Sequence, residues 1–182
     1  MRVLGVDPGS TVTGFGLVDR TDGTIRHVAH GTLRPPRTAA LADRLAFVYD
    51  GIAQVARQHA PDAAVVEQVF FANSARSALV LGQARGVALA ALAAASLRVG
   101  EVSAREVKKA VVGTGAASKL QVQRMVARLL GMVSSPASDA ADALAAAIHQ
   151  ARSFGRPGRP RRGRARRSTR RPSVSRVLGR SL

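Results

Sequence analysis

"MRVLGVDPGSTVTGFGLVDRTDGTIRHVAHGTLR", residues 1–34, decides the fold. Its first seven residues are rich in branched apolar side chains and stop at Pro8-Gly9, which reads as a buried strand entering a turn. "TGFGLVD" and "IRHVAHGTLR" are two further strand-like runs, and the Asp-Gly of "RTDGT" between them is a hairpin signal. These three strands are expected to form an antiparallel meander.

Pro35-Pro36 closes that unit. Over residues 38–60, Leu41, Leu45, Val48, Ile52 and Val55 recur at helical spacing and give one apolar stripe. "DAAVVEQV", residues 62–69, reads as a fourth strand. "SARSALVLGQARGVALAALAAAS", residues 74–96, reads as a second long helix, apolar almost all round in its second half. Such a helix is expected to be buried on several sides. Its Gly82, Gly86 and many alanines would let another backbone approach closely.

"LRVGEVS", residues 97–103, is a short fifth strand. Ser103 with Glu106, and Ser118 with Gln121, have the spacing of capping boxes and start two more helices. The second of these is expected to turn Val122, Met125, Val126, Leu129 and Leu130 inward. "GTGAA" between them is a loop. A last helix is expected to begin at Ser135-Pro136, with proline in its first turn. A strand–helix–strand crossover demands that the fourth and fifth strands pair in parallel. The fold class is therefore α/β: a mixed sheet with helices on both faces.

Charge divides the chain. Of 28 basic residues, 12 arginines lie in residues 151–182, where there is no acid; the first 150 residues hold the other 16 and all 11 acids. The body is mildly basic and the tail extremely so, which points to a polyanionic partner, most simply nucleic acid. A folded domain over 1–152 and an Arg-rich tail over 153–182, disordered when free, are expected. The chain has no cysteine, which excludes disulfides, thiolate metal sites and a thiol nucleophile. No signal-like apolar segment opens the chain, and its longest apolar stretch, "GVALAALAAASL", is about half a membrane span. A cytoplasmic protein with no membrane partner is expected.

With so few acids, their placement carries information. Asp7 ends the first strand before a glycine-containing turn, and Glu67 follows Val65-Val66 in a strand expected to be buried on both faces. A carboxylate in such a place needs a partner. Asp139 and Asp142 in "SDAADALAAAI" are three residues apart and share one helix face. Each has a plainer reading: a turn cap for Asp7, a solvent-facing position for Glu67, and for the helical pair the attraction of a helix N-terminus for anions. As a set, they are the pieces of a four-carboxylate cluster if the last helix packs beside the ends of strands one and four. Hard oxygen ligands without Cys or nearby His suit Mg²⁺ or Mn²⁺. Two such ions roughly 4 Å apart are the usual arrangement for in-line phosphodiester hydrolysis. The histidines, at 27, 30, 59 and 149, have no zinc spacing. "GTGAASK" follows a helix rather than a strand and lacks the Gly-Lys-Ser/Thr ending of a phosphate loop.

"GVDPGSTVTGFG", "VVEQVFF", "LGQARGVA", "VKKAVVGTGAASKLQVQRMV" and "SDAADALAAAI" together resemble the RuvC-type Holliday-junction resolvases, in order and over about residues 2–150. The resemblance implies a ribonuclease H-like fold with a mixed five-stranded sheet. It implies a homodimer that cuts two opposed strands of a four-way DNA junction with two Mg²⁺ per subunit, Mn²⁺ substituting. By position it makes Asp7, Glu67, Asp139 and Asp142 the metal-binding catalytic acids and Lys119 a basic residue near the scissile phosphate. It makes Lys108 a DNA contact and Phe70 a stacker at the opened crossover; Arg76 is a further DNA-binding candidate. Nucleoid association and a branch-migration motor as partner follow only by analogy with the family. The arginine tail lies outside the family's catalytic pattern.

Three other readings compete. A nuclease of the same fold could cut RNA–DNA hybrids, although "VFFANSARSALVLGQARG" belongs to the resolvase pattern. A non-catalytic DNA-binding protein could rely on its tail, although all four acids are present. "DPGS" also resembles the strand–turn of actin-like and sugar-kinase ATPases, which need two such domains in a longer chain.

Overall fold

The computed structural model describes residues 1–68 and 74–154. Phe70 and residues 155–182 of the arginine tail lie outside the described residues. The chain runs β1 (Arg2–Asp7), β2 (Thr13–Thr21), β3 (Thr24–Leu33), α1 (Leu41–His59), β4 (Ala63–Gln68), α2 (Ala75–Ala94), β5 (Arg98–Ser103), α3 (Ala104–Val112), α4 (Lys119–Leu129) and α5 (Ser138–Ser153). The strands form one sheet in the order β3-β2-β1-β4-β5. β1, β2 and β3 pair antiparallel, as the meander required. Asp22 and Gly23 both have left-handed backbone, which a two-residue hairpin turn needs to match the twist of its strands. β4 pairs in parallel with β1 and β5.

Alternation along β1 and β4 divides the core. Val3 and Val65 face α3, α4 and α5, where they meet Val107, Val126, Leu144 and Ile148. Leu4, Val6, Ala64 and Val66 face the other way, onto Val48 and Ile52 of α1 and Ala88 and Leu92 of α2. Strands covered on both faces read as continuous apolar runs, and these do. α5 is the central helix. From Ala140 to Ile148, every residue except Asp142 is essentially inaccessible. On the sheet side it meets Gly5, Gly14 and Gly16, where an added Cβ would collide with Ala143, Asp139 and Leu144. Small residues on both partners let helix and sheet come into backbone contact.

Several sequence expectations change. α5 starts at Ser138, not at Ser135-Pro136. The Pro136 carbonyl instead accepts a 2.5 Å hydrogen bond from Gln123 Nε2 of α4, so proline ties the preceding loop down rather than opening the helix. α1 starts at Leu41, three residues later than expected. Leu129, at the end of α4, is exposed, because the stripe runs off the core there. The largest difference is α2. Only Ala84, Ala88, Ala91 and Leu92 are buried within the chain, while Leu79 is 64 % exposed and a Cβ at Gly82 or Gly86 would meet open space. By length and composition alone α2 could cross a membrane. Its buried residues belong to the core shared with β1 and β4, so it is an element of this fold. Both predicted capping boxes are present, at Ser103–Glu106 and Ser118–Gln121.

Candidate active site

The strand register builds the site. Val6 pairs with Val66, so Asp7 and Glu67 leave adjacent parallel strands at the same edge of the sheet. Each lies two residues beyond a strand position that faces α5, Gly5 and Val65, so strand alternation turns both carboxylates toward α5. Gly14, opposite Asp7 on β2, lets the first turn of α5 rest on the sheet at Asp139. Asp139 and Asp142 thereby stand over the strand-end acids. Asp7, Glu67, Asp139 and Lys119 line one open cleft of about 580 Å³ with residues 8–12 of the turn after β1.

The electrostatics describe a crowd of like charges. Burial, then repulsion from Asp142 and Asp139, pushes the Asp7 carboxyl up to about 7, against the pull of Lys119. Burial, then Asp7 and Asp142, pushes Glu67 up to about 8, opposed by Lys119 and Lys108. Burial also raises Asp142, and Lys119, 3.6 Å from its Oδ2, holds it back. Lys119 is placed at the start of α4 by the Ser118 capping box and is 73 % exposed, so its ammonium is available to a ligand in the cleft. Lys108, half-buried on α3, is close enough to act electrostatically on Glu67 and Asp142.

The donor set fits hard divalent cations: half-buried carboxylate oxygens, of which those of Asp7, Glu67 and Asp142 are kept from ionising by burial and then by neighbouring like charges. Among the described residues no three His, Asp or Glu side chains already stand in ion-ligating geometry, so the carboxylates would have to draw together around an ion. The histidines do not join them. His27 and His30 hydrogen-bond to each other on β3, brought to one face by the bulge at Leu17/Val18. Arg76 is exposed in the first turn of α2 and does not line this cleft. The turn residues that do line it were not singled out in the sequence. Their only signal was Pro8-Gly9 directly after an acid.

A mixed sheet in this order, with acids at the adjacent ends of two central strands and a helix carrying two more laid across them, defines a nuclease of the ribonuclease H-like class. Within that class the chain belongs to the RuvC family of crossover junction endodeoxyribonucleases, whose family model matches residues 3–150. It is 50% identical to the RuvC of Burkholderia vietnamiensis over 153 residues, covering 84% of each chain. It is 53% identical to that of Bordetella petrii over 148 residues, covering 81% of each. Its fold is similar to that of Thermus thermophilus RuvC in complex with a Holliday junction substrate, with a TM-score of 0.78 and 31% identity, covering 83% of this chain and 93% of the other.

Proposed function

We propose that this chain resolves four-way (Holliday) DNA junctions in recombination and repair, by metal-dependent hydrolysis of phosphodiesters on two opposed strands. The observation that carries the reading is the convergence of Asp7, Glu67 and Asp139 on one cleft, with Asp142 close enough to repel Asp7 and Glu67, in a chain of this family. These four acids would hold two Mg²⁺ per subunit, with Mn²⁺ able to substitute. A bound pair supplies charge neutralisation at the phosphate and activation of water. Lys119 contributes a cation at the scissile phosphate, Lys108 and Arg76 contact the DNA backbone, and Phe70 stacks on a base at the opened crossover. The assay compares a synthetic four-way junction, a linear duplex and an RNA–DNA hybrid, each with Mg²⁺ or chelator. Paired symmetric nicks on the junction alone, lost in chelator, are expected. Equal cutting of the hybrid would overturn the reading.

A junction has two-fold symmetry, and a two-fold dimer places one site on each cut strand. The exposed apolar face of α2, with open space at Gly82 and Gly86, supports a homodimer through that helix. Light scattering at micromolar concentration should give twice the chain mass. A monomer counts against this interface. A cytoplasmic, nucleoid-associated location and docking to a branch-migration motor complete the proposal by family analogy.

The tail is proposed to add phosphate contacts without sequence preference. If about five of its arginines engage DNA, removing residues 155–182 should flatten the salt dependence of binding by about 4 to 5 log units per log unit of salt. Junction cutting at low salt should survive. Loss of all cleavage by the folded, truncated protein would refute a purely accessory role.

The raised carboxyls also predict how stability depends on pH. Without divalent ions the folded chain keeps protons on Asp7 and Glu67 that the unfolded chain, at ordinary values of 3.8 and 4.5, has released. Where the folded state binds more protons, stability falls as pH rises. These two groups therefore stabilise fully below about pH 4, and that contribution is lost by about pH 8. His27 and His149, held down by burial, act in the opposite sense below their ordinary 6.5. Melting temperatures in chelator should fall between about pH 6.5 and about pH 8, with Mg²⁺ restoring most at the upper end. A rise across that window would mean the acids are not crowded.

A further inference from the structure

The turn after Asp7 is held by a cation that no sequence pattern singled out. Arg44, near the start of α1, donates from Nη2 to the Ser10 carbonyl at 2.6 Å. Its Nε is buried without a partner. The side chain lies in a narrow seam between α1, α2 and the turn, beside Leu45, Val48, Val80 and Gly9. Among the described residues no other hydrogen bond holds residues 8–12. Both ends of the turn are fixed, because Asp7 pairs with Gly14 and Thr13 pairs with Leu33. The turn is tight, since a Cβ at Gly9 would collide with the Val12 carbonyl. Its five residues line the cleft that holds Asp7, Glu67 and Asp139.

We infer that Arg44 is a positioning residue for cleavage: through Ser10 it holds the 8–12 turn, the wall of the cleft beside Asp7, where a bound phosphodiester needs it. The planar guanidinium suits this task. Its fork can hold a carbonyl with one arm while its body fills a seam between helices, which a compact ammonium does less well. Arg44 does not face the carboxylates across the sheet. It packs with the α1–α2 side, so its effect on the reaction runs through the backbone of the turn.

The inference rests on the nuclease reading, and its test has one arm that does not. Without DNA or divalent ions, the backbone amide ¹⁵N order parameters of residues 9–12 should fall from a rigid value of about 0.85 toward about 0.6 in Arg44→Met, because the turn loses the one hydrogen bond that holds it among the described residues. Unchanged order parameters overturn the inference whatever the protein cleaves. In the second arm, single-turnover cutting of a four-way junction with Mg²⁺ should slow by about 10-fold in Arg44→Met, in line with displacement of a reacting group by a fraction of an ångström. Junction affinity should stay within twofold, and Arg44→Lys, which keeps one donor, should recover part of the rate. Weaker binding with a salt slope lower by about 1 and an unchanged rate would make Arg44 a phosphate contact and overturn the positioning role. If Arg44→Met does not fold, Arg44→Lys carries both arms, with a smaller loss in each. A parent chain that leaves junctions uncut defeats the nuclease reading and leaves the order-parameter result standing.

Discussion

Asp7→Asn should abolish junction cutting and at the same time raise the melting temperature of the ion-free protein. The two effects share one cause. Asp7 is half-buried among Asp139, Asp142 and Glu67, and its carboxyl is pushed up to about 7. An ionised carboxylate there costs folding energy in the absence of a cation. Asparagine keeps the shape and removes the charge. Above pH 7 the gain in stability should be on the order of 1–3 kcal/mol, enough to move the melting temperature by several degrees in a domain of this size. The same substitution removes a hard anionic oxygen from the ion-holding set, and cleavage should fall on the order of 10³-fold. Junction affinity in chelator should hold or tighten slightly, because repulsion of phosphate has been reduced. The opposite signs make the result informative. Lost cleavage with a lower melting temperature would indicate a damaged fold, and retained cleavage would remove Asp7 from the chemistry.

The parts of this site legible in the sequence are those that break a local pattern. Asp7 and Glu67 interrupt apolar strands, and a charge that interrupts such a run has to be explained. The crossover rule placed only the fourth and fifth strands in parallel; it is the observed register that sets β4 parallel to β1 and puts their ends side by side. Asp139 and Asp142 broke no pattern, since acids early in a helix are ordinary. They gained meaning only from the other pair. What the sequence left hidden are contacts between elements. Gly5, Gly14 and Gly16 read as turn or strand punctuation, and nothing local shows that each receives the backbone or a side chain of α5. Arg44 reads as one more surface cation on an amphipathic helix. For α2, composition called for burial on several sides and for close approach of another backbone; among the described residues only Ala84, Ala88, Ala91 and Leu92 of this helix are buried. Pro136 shows the limit of positional rules, because a tertiary hydrogen bond to Gln123 decides its place.

Gly14→Ala should carry the second-largest effect, and it tests whether the helix-to-sheet distance sets the activity. A Cβ at Gly14 would collide with the Asp139 carbonyl and lie 3.0 Å from the Ala140 amide nitrogen. Both obstacles are backbone in a buried interface, so no rotamer change relieves them. The first turn of α5 has to lift from the sheet. Overpacking of this kind costs about 3 kcal/mol. The lift also carries Asp139 and Asp142 away from Asp7 and Glu67, and misplacement by about 1 Å can reduce a rate by 10²-fold. Gly5→Ala separates the two consequences. Its Cβ would strike Ala143 and Ala147, beyond Asp139 along the same helix, although Ala143 adjoins Asp142. Both variants should unfold at lower urea than the parent chain. In the folded fraction at low temperature, Gly5→Ala should lose less of its cutting rate than Gly14→Ala, whose clash falls on Asp139 itself. Equal losses would mean that α5 moves as a rigid rod, so that any lift of the helix displaces the aspartates. A fully active Gly14→Ala would mean that the carboxylates gather around their ions from wherever the helix leaves them, and that the glycines serve stability alone.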